Sequence, residues 1–409
     1  MDNISHSLAG LAAGELLHRS LPPEPQEQAQ SLRRRMLLAA CGLAANLPDL
    51  DLVLTGQLPP PLGYLLHHRG HTHTLLFALP QVLLLIALVW LLWPAARRLL
   101  HASTSARVGL IAATIIGLGL HLLMDSFNSY GLHPFHPFDS RWLYGDMVFI
   151  VEPVFWVGFG VPLVMMVASR ALRMALFALL IGVLGWTTAQ GFLHWASLLA
   201  LMLAAALIGW MQRRAGLAGR QGLGAGILAA AVFVAVQAGA SHMGQQQVAQ
   251  HLHTVASSSR LLDTAMTPLP ANPVCWMFVS VERDDNAATY RIRRGMLSLA
   301  PTLLPVRACP AAFAPIPAIA TAAIGMDMAA EASLDTLRSL AANCHFHAWM
   351  RFARAPLLQD GDVASDARFA RDHGDNFSRF DPAAFANVPC ATGVPEWDLP
   401  RQDLLDAPQ

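Results

Sequence analysis

The segment HHRGHTHTLLFALPQVLLLIALVWLLW (His67–Trp93) sets four histidines and an arginine against a run with no charged side chain from Leu75 to Trp93. A helix of that length covers roughly the 30 Å hydrocarbon core of a bilayer at about 1.5 Å per residue. The same character recurs outward from this point. Leu, Ala, Val, Ile, Gly and Trp dominate from Leu75 to Ala240, whereas the chain after Ser241 reads as a soluble domain. The 409 residues are 54% hydrophobic and 13% charged, with a mean hydropathy of +0.42; soluble domains carry about 25% charged residues. The formal net charge of zero argues against a strongly basic nucleic-acid binder, and no nucleic-acid partner is expected.

Spans of roughly 17–25 residues are expected at Leu75–Trp93, Val108–Met124, Met147–Ala168, Met174–Gln190, Phe192–Met211 and Leu223–Ala240. Two shorter apolar segments, Ile4–His18 and Met36–Leu47, are expected as tilted or half-buried helices. No cleavable signal peptide is expected, because the N-terminus lacks a basic region and its first apolar segment holds His6, Glu15 and His18. The expected fold is mainly α: a polytopic helical membrane domain over 1–240, then an extracytoplasmic, β-rich α+β soluble domain over 241–409. In that tail VCWMFVSVER and ATYRIRRGMLSL flank the turn-rich DDNA, which predicts a β-hairpin. A helix over Ala329–Ala341 and a strand around His345–Arg354 are expected after it.

Basic residues near span ends orient such a chain. Arg33–Arg35, then Arg97, Arg98 and Arg107, then Arg170 and Arg173, then Arg213, Arg214 and Arg220 fall in alternate connections. Those connections are expected in the cytoplasm. Residues 49–74 and 125–146, the turn near Gly191 and the tail are expected to face outward. The tail holds Cys275, Cys309, Cys344 and Cys390; outside the cytoplasm they permit two disulfides, with three pairings possible.

With this topology, polar residues from separate segments collect on the outer side. His6 lies near the outer end of the first helix, and NLPDLD (Asn46–Asp51) supplies Asp49 and Asp51. His67, His68, His71 and His73 precede the first long span. In HLLMDSFNSYG, His121 and Asp125 stand four residues apart, on one helical face. His133, His136, Asp139, Asp146 and Glu152 follow. Neutral imidazole and carboxylate form the natural ligand set for Zn²⁺, with Mn²⁺ and Fe²⁺ as alternatives. Ionisable side chains at membrane depth are costly and point to function. The expected ligands to one or more divalent ions are His6, Asp49, His68, His73, His121 and Asp125, with His67 and His71 as their neighbours.

Plainer readings stand beside these. His121 and Asp125 could form a structural hydrogen bond at a helix end, Asp51 could cap a turn, and His133 and His136 could be rigid-loop residues of HPFHPF. Arg69 has two readings, as a clamp for an anionic group and as a partner of Asp49 or Asp51. His18, His101, His194, His251 and His253 lie at wrong ends or in isolation.

At DNISHSLAG, NLPDLD, HHRGHTHT, HLLMDSFNSYG, HPF and DMVFIVEPVFW the chain resembles a known family. These are the membrane-bound, metal-dependent hydrolases called LexA-binding, inner-membrane-associated hydrolases. The resemblance reaches NPVCWMFVSVERDD in the tail, with its specific motifs in the first 160 residues. Glu152 stands where that family often has aspartate before proline, and Thr74 replaces its usual serine. The resemblance implies hydrolase activity and a bacterial inner membrane. The order His6, Asp49, His68 or His73, then His121-x₃-Asp125, also resembles the zinc-dependent phospholipase C and S1/P1 nuclease group. It implies phosphoester chemistry, and no HExxH motif for peptide hydrolysis is present.

The expected function is therefore a metal-dependent hydrolase of the inner membrane, acting on a phosphoester or lipid-like, amphiphilic or small-molecule substrate beside membrane lipids. Asp51 and Glu152 are the carboxylates expected to orient or deprotonate the water. Arg69 is expected to hold the reacting oxygens. Two other classes compete: a metal-binding or transport protein, which would need polar residues in the later spans, and a regulatory scaffold, which would need the His/Asp face in the cytoplasm.

Overall fold

The computed structural model describes residues 1–255, 258–312, 319–359, 362–370 and 376–407. The helices run in chain order as α1 (Asn3–Ser20), α2 (Glu27–Ala44), α3 (Leu62–His67), α4 (Leu75–Leu92), α5 (Pro94–Ala102) and α6 (Thr104–Asp125). Two short helices follow, α7 (Pro153–Phe155) and α8 (Val161–Met165), then α9 (Arg170–Ala189), α10 (Trp195–Ala215) and α11 (Gln221–Val255). The chain divides into two compact units. The first is Met1–Leu50, Thr72–Asn128 and Phe149–Val236; the second is Asp51–His71, Ser129–Val148 and Gln237–Gln409.

Among the described residues, six helical segments are long and apolar enough to cross a membrane: Glu27–Gln57, Leu75–Leu92, Thr104–Asp125, Arg170–Ala189, Trp195–Ala215 and Gln221–Val255. The protein is a mainly helical, multi-pass membrane protein. Leu79, Leu83, Leu179, Leu199 and Leu203 are exposed, as helices that meet lipid require. Hydroxyl and carboxylate caps set where several helices begin. Asp2 accepts from the Ser5 N–H, Thr74 from Phe77, Ser103 from Ala106 and Ser169 from Leu172. Pro80 lies inside α4, and the neighbouring Gln81 amide donates to the carbonyls of Thr72 and Phe77 there.

Two expected segments differ. Met36–Leu47 belongs to the longer Glu27–Gln57, in which α2 leads into a 3-10 helix at Pro48–Gln57. No continuous span covers Met147–Ala168. Residues 147–152 are non-helical, and the helix over Pro153–Met165 is short, with a π-turn at Trp156–Gly160. Pro153 lacks a backbone N–H and fits only the first turn, where Glu152 caps by accepting from Val154. At Gly158 the chain lies against the backbone of Gly226 on α11, so close that a Cβ on Gly226 would meet the Gly158 carbonyl.

In the first unit α1, α2 and α6 pack backbone against backbone. A Cβ on Gly117 would lie 2.5 Å from the Cys41 carbonyl, and one on Gly10 would lie 2.8 Å from the same oxygen. Small residues permit this approach where lipid gives no hydrophobic drive between helices.

The second unit carries a five-stranded antiparallel sheet in the order β1-β2-β3-β5-β4. Its strands are β1 (Arg260–Leu269), β2 (Asn272–Asp284), β3 (Thr289–Ser298), β4 (Ile319–Ala320) and β5 (Ile324–Ser333). The expected hairpin is β2–β3, with Asp284 Oδ1 accepting from Asn286 and Ala287 in its turn. The end of α11 packs on this sheet through Ala240, Val248 and Leu252 against Met266, Trp276 and Phe278. The helix is thus continuous past residue 240. The disulfides are Cys275–Cys309 and Cys344–Cys390.

The helix expected over Ala329–Ala341 begins later. Residues up to Ser333 pair with β3, Glu331 opposite Arg291, and the Ser333 hydroxyl then caps α12 (Leu334–Ala341). The strand expected around His345–Arg354 is instead α13 (Cys344–Met350), started by the Asn343 side chain accepting from His345 and Phe346. In both places a capping side chain outweighed the residue pattern.

If helix contact at Gly117 positions α6, Gly117→Val should lower stability by about 1–3 kcal/mol through overpacking. Gly119→Val, whose Cβ meets nothing within 4 Å, should stay within ~0.5 kcal/mol. Thermal unfolding in detergent compares the two.

Candidate metal centre

Four side chains of the first unit converge: Asp49, His73, His121 and Asp125, whose ligand atoms all lie within 4.8 Å of one another. Asp49 comes from the 3-10 helix after α2, and Pro48 begins that turn. His73 ends a 3-10 turn at His71–His73, directly before the Thr74 cap of α4. His121 and Asp125 are one turn apart at the end of α6. All four are buried.

The geometry tests whether a cation fits. His73 Nε2 and His121 Nε2 are 3.0 Å apart. His73 Nε2 is 3.5 Å from Asp49 Oδ1 and 3.4 Å from Asp125 Oδ2. His121 Nε2 is 3.6 Å and 3.5 Å from the same oxygens. Hydrogen bonds between nitrogen and oxygen run about 2.7–3.2 Å, so the four nitrogen–oxygen separations exceed that range. A tetrahedral ion with bonds of about 2.0–2.1 Å has ligands roughly 3.3 Å apart, close to all five of these separations. His121 Nδ1 lies 2.8 Å from the Ala45 carbonyl. A carbonyl only accepts, so Nδ1 carries the proton and the neutral ring turns its Nε2 lone pair into the cluster. Ligating histidines are oriented in this way. His73 Nδ1 is 3.1 Å from the Thr72 hydroxyl. Two imidazoles and two carboxylates fit a divalent ion of the Zn²⁺, Mn²⁺ or Fe²⁺ class.

His6, on α1, lies beside this group. Its Nε2 is 3.2 Å from Asp125 Oδ1, and its ring stacks on His121 with centroids 4.1 Å apart. The Met1 amine also donates to Asp125 Oδ1. Glu152 is fully buried and caps α7.

The remaining expected site residues belong to the second unit. Asp51 Oδ1 is 3.2 Å from His68 Nδ1, and its Oδ2 accepts from the Arg69 backbone N–H at 2.9 Å. Asp51 thus closes the turn in which Arg69 adopts φ 57. The Arg69 guanidinium lies 4.8 Å above the Tyr130 ring. His68 stacks on Tyr64. His71, His133 and His136 surround the Trp397 indole, whose N–H donates to the Leu66 carbonyl. Burial first, then the charges of His136 and His67, lower the His71 pKa.

Asp139 and Asp146, also outward carboxylates in the sequence, are engaged elsewhere. Asp139 pairs with Arg141. Asp146 takes both terminal nitrogens of the Arg354 guanidinium at 2.8 Å, and Asp263 takes its Nε at 2.7 Å. Burial works against the Arg354 charge, but the two carboxylates overcome it and raise its pKa well above the ordinary value. This pairing fastens residues 129–148 to the C-terminal part of the chain. Sequence reasoning missed Arg354, because a lone arginine far along the chain carries no local signal. It also missed the Ala45 carbonyl, a backbone group that every residue type supplies.

Residues 1–196 match the profile of a family described as YdjM inner membrane protein. That match includes all four converging side chains and ends within α10. The chain is also 27% identical over 157 residues to the uncharacterized protein YfhP of Bacillus subtilis strain 168. The alignment covers 38% of this chain and 43% of that protein, so it spans under half of either. No solved structure matches the chain, and the phospholipase C and nuclease resemblance gains no support.

Replacing His73, His121, Asp49 or Asp125 by Ala should weaken binding of a divalent ion by more than the roughly 10–100-fold typical of groups one layer out. His68→Ala should leave metal content unchanged. Elemental analysis of the purified variants checks both outcomes.

Proposed function

We propose that this chain is an inner-membrane, metal-dependent hydrolase acting on a phosphoester in an amphiphilic, lipid-like substrate. The observation that carries this reading is the Asp49–His73–His121–Asp125 set, a mixed nitrogen and oxygen donor group buried in a membrane protein. When bound, a Zn²⁺-class ion supplies the Lewis acidity that lets water act as a nucleophile near neutral pH. The remaining work falls to the chain itself. Glu152 is the carboxylate that takes the proton from the attacking water. In the second unit Asp51 closes the turn that carries Arg69, a guanidinium of the kind that neutralises charge on phosphoryl oxygens.

The proposed orientation places this chemistry and the C-terminal domain outside the cytoplasm. Two disulfides after residue 240 support it, since such bonds persist in oxidising compartments, as do arginines in alternate connections where the stretch ending in the short Pro153–Met165 helix completes a crossing. An outward site at the bilayer surface suits a substrate with an apolar anchor and a charged head.

The test is a panel of phosphoesters and phospholipids offered to purified protein loaded with Zn²⁺ or Mn²⁺. Metal-dependent turnover that a chelator abolishes is expected, and Glu152→Gln should keep the ion while lowering kcat about 10²–10⁴-fold. A loaded protein inert across the panel would refute phosphoester hydrolysis.

A further inference from the structure

The Asp125 carboxylate has two differently used oxygens. Oδ2 faces the Nε2 atoms of His73 and His121, at 3.4 Å and 3.5 Å. Oδ1 faces His6 Nε2 at 3.2 Å. An ionised carboxylate only accepts, so His6 Nε2 carries the proton and donates. The same ring lies over His121, with an interplanar angle of 20°. His6 therefore touches two of the four converging side chains while its own nitrogen lies at the far oxygen of Asp125.

The rest of the His6 environment points the same way. The side chain is fully buried, and its Nδ1 has no hydrogen-bond partner among the described residues. A histidine kept only to tie the fold together would normally satisfy both nitrogens. The start of α1 is held independently: the Asp2 N–H donates to the Ile150 carbonyl, Asp2 caps Ser5, and the Trp156 indole donates to the Ser5 hydroxyl. The helix start is thus fixed without His6, which leaves the side chain free to serve the centre.

We propose that His6 is a positioning residue that aims the Asp125 carboxylate through its Nε2–H, and is not itself a ligand. The inference rests on the metal-centre reading above. Hydrogen-bonded partners of ligands keep donor atoms in place, and their loss typically weakens metal affinity about 10–100-fold. Two variants separate the two contacts. His6→Phe keeps a ring against His121 but cannot donate, whereas His6→Gln loses the ring and keeps an N–H that reaches Asp125.

Full-length protein in detergent is titrated with Zn²⁺ against a chromophoric chelator, and with Co²⁺ while its visible ligand-field bands are recorded. Expected are wild-type stoichiometry and band positions in both variants, affinity lowered about 10–100-fold in His6→Phe, and near-wild-type affinity in His6→Gln. Should His6→Phe not fold, His6→Asn, too short to reach Oδ1, carries the same expectation. Wild-type affinity in the non-donating variant would overturn the inference alone. So would Co²⁺ bands shifted to another coordination number, which would make His6 a ligand. A wild-type protein that takes up neither ion would overturn the metal centre and this inference with it.

Discussion

The arrangement depends on one constraint: two imidazole nitrogens held 3.0 Å apart between two carboxylates, inside an apolar helical unit. Buried carboxylates without a compensating charge are strongly disfavoured. The Met1 amine and His6 face Asp125 Oδ1, but the His121 ring offers the carboxylates no donor, since its proton is committed to the Ala45 carbonyl. A divalent cation would offset the remaining carboxylate charge and take the lone pairs that face it. Binding such an ion would therefore stabilise this helix junction as well as the cluster itself.

The helices are built to bring those groups together. Gly10 and Gly117 let α1 and α6 approach the α2 backbone around Cys41, close to the ends that carry His6, Asp49 and Asp125. The chain then leaves the first unit at Asp51 and re-enters it at Thr72. The excursion carries His68 and Arg69 and is fastened in the second unit by Trp397 at Leu66. The later excursion, residues 129–148, is fastened by Arg354 at Asp146. The C-terminal part of the chain is thus the anchor for both histidine-bearing loops.

Much of this was legible in the sequence. Apolar runs marked the spans, and the i, i+4 spacing marked His121 with Asp125. His73 was among the ligands expected from the histidine-rich stretch, together with His68. What was not legible depended on three-dimensional partners. His68 was expected as a ligand beside His73 and Asp51 as a water-orienting carboxylate, but at the Arg69 turn they lie against each other. The apolar composition of Met147–Ala168 suggested a span, but residues 147–152 are non-helical and the helix that Pro153 starts ends at Met165. In the tail, Ser333 and Asn343 capped helices that composition alone misplaced.

The most direct measurement is X-ray absorption at the metal edge of purified, Zn²⁺-loaded protein, compared with His121→Ala. The account predicts a four-coordinate first shell at about 2.0–2.2 Å, with outer-shell scattering from two imidazoles that falls to one in the variant. A six-coordinate oxygen shell without imidazole scattering, or identical spectra from the two proteins, would contradict it.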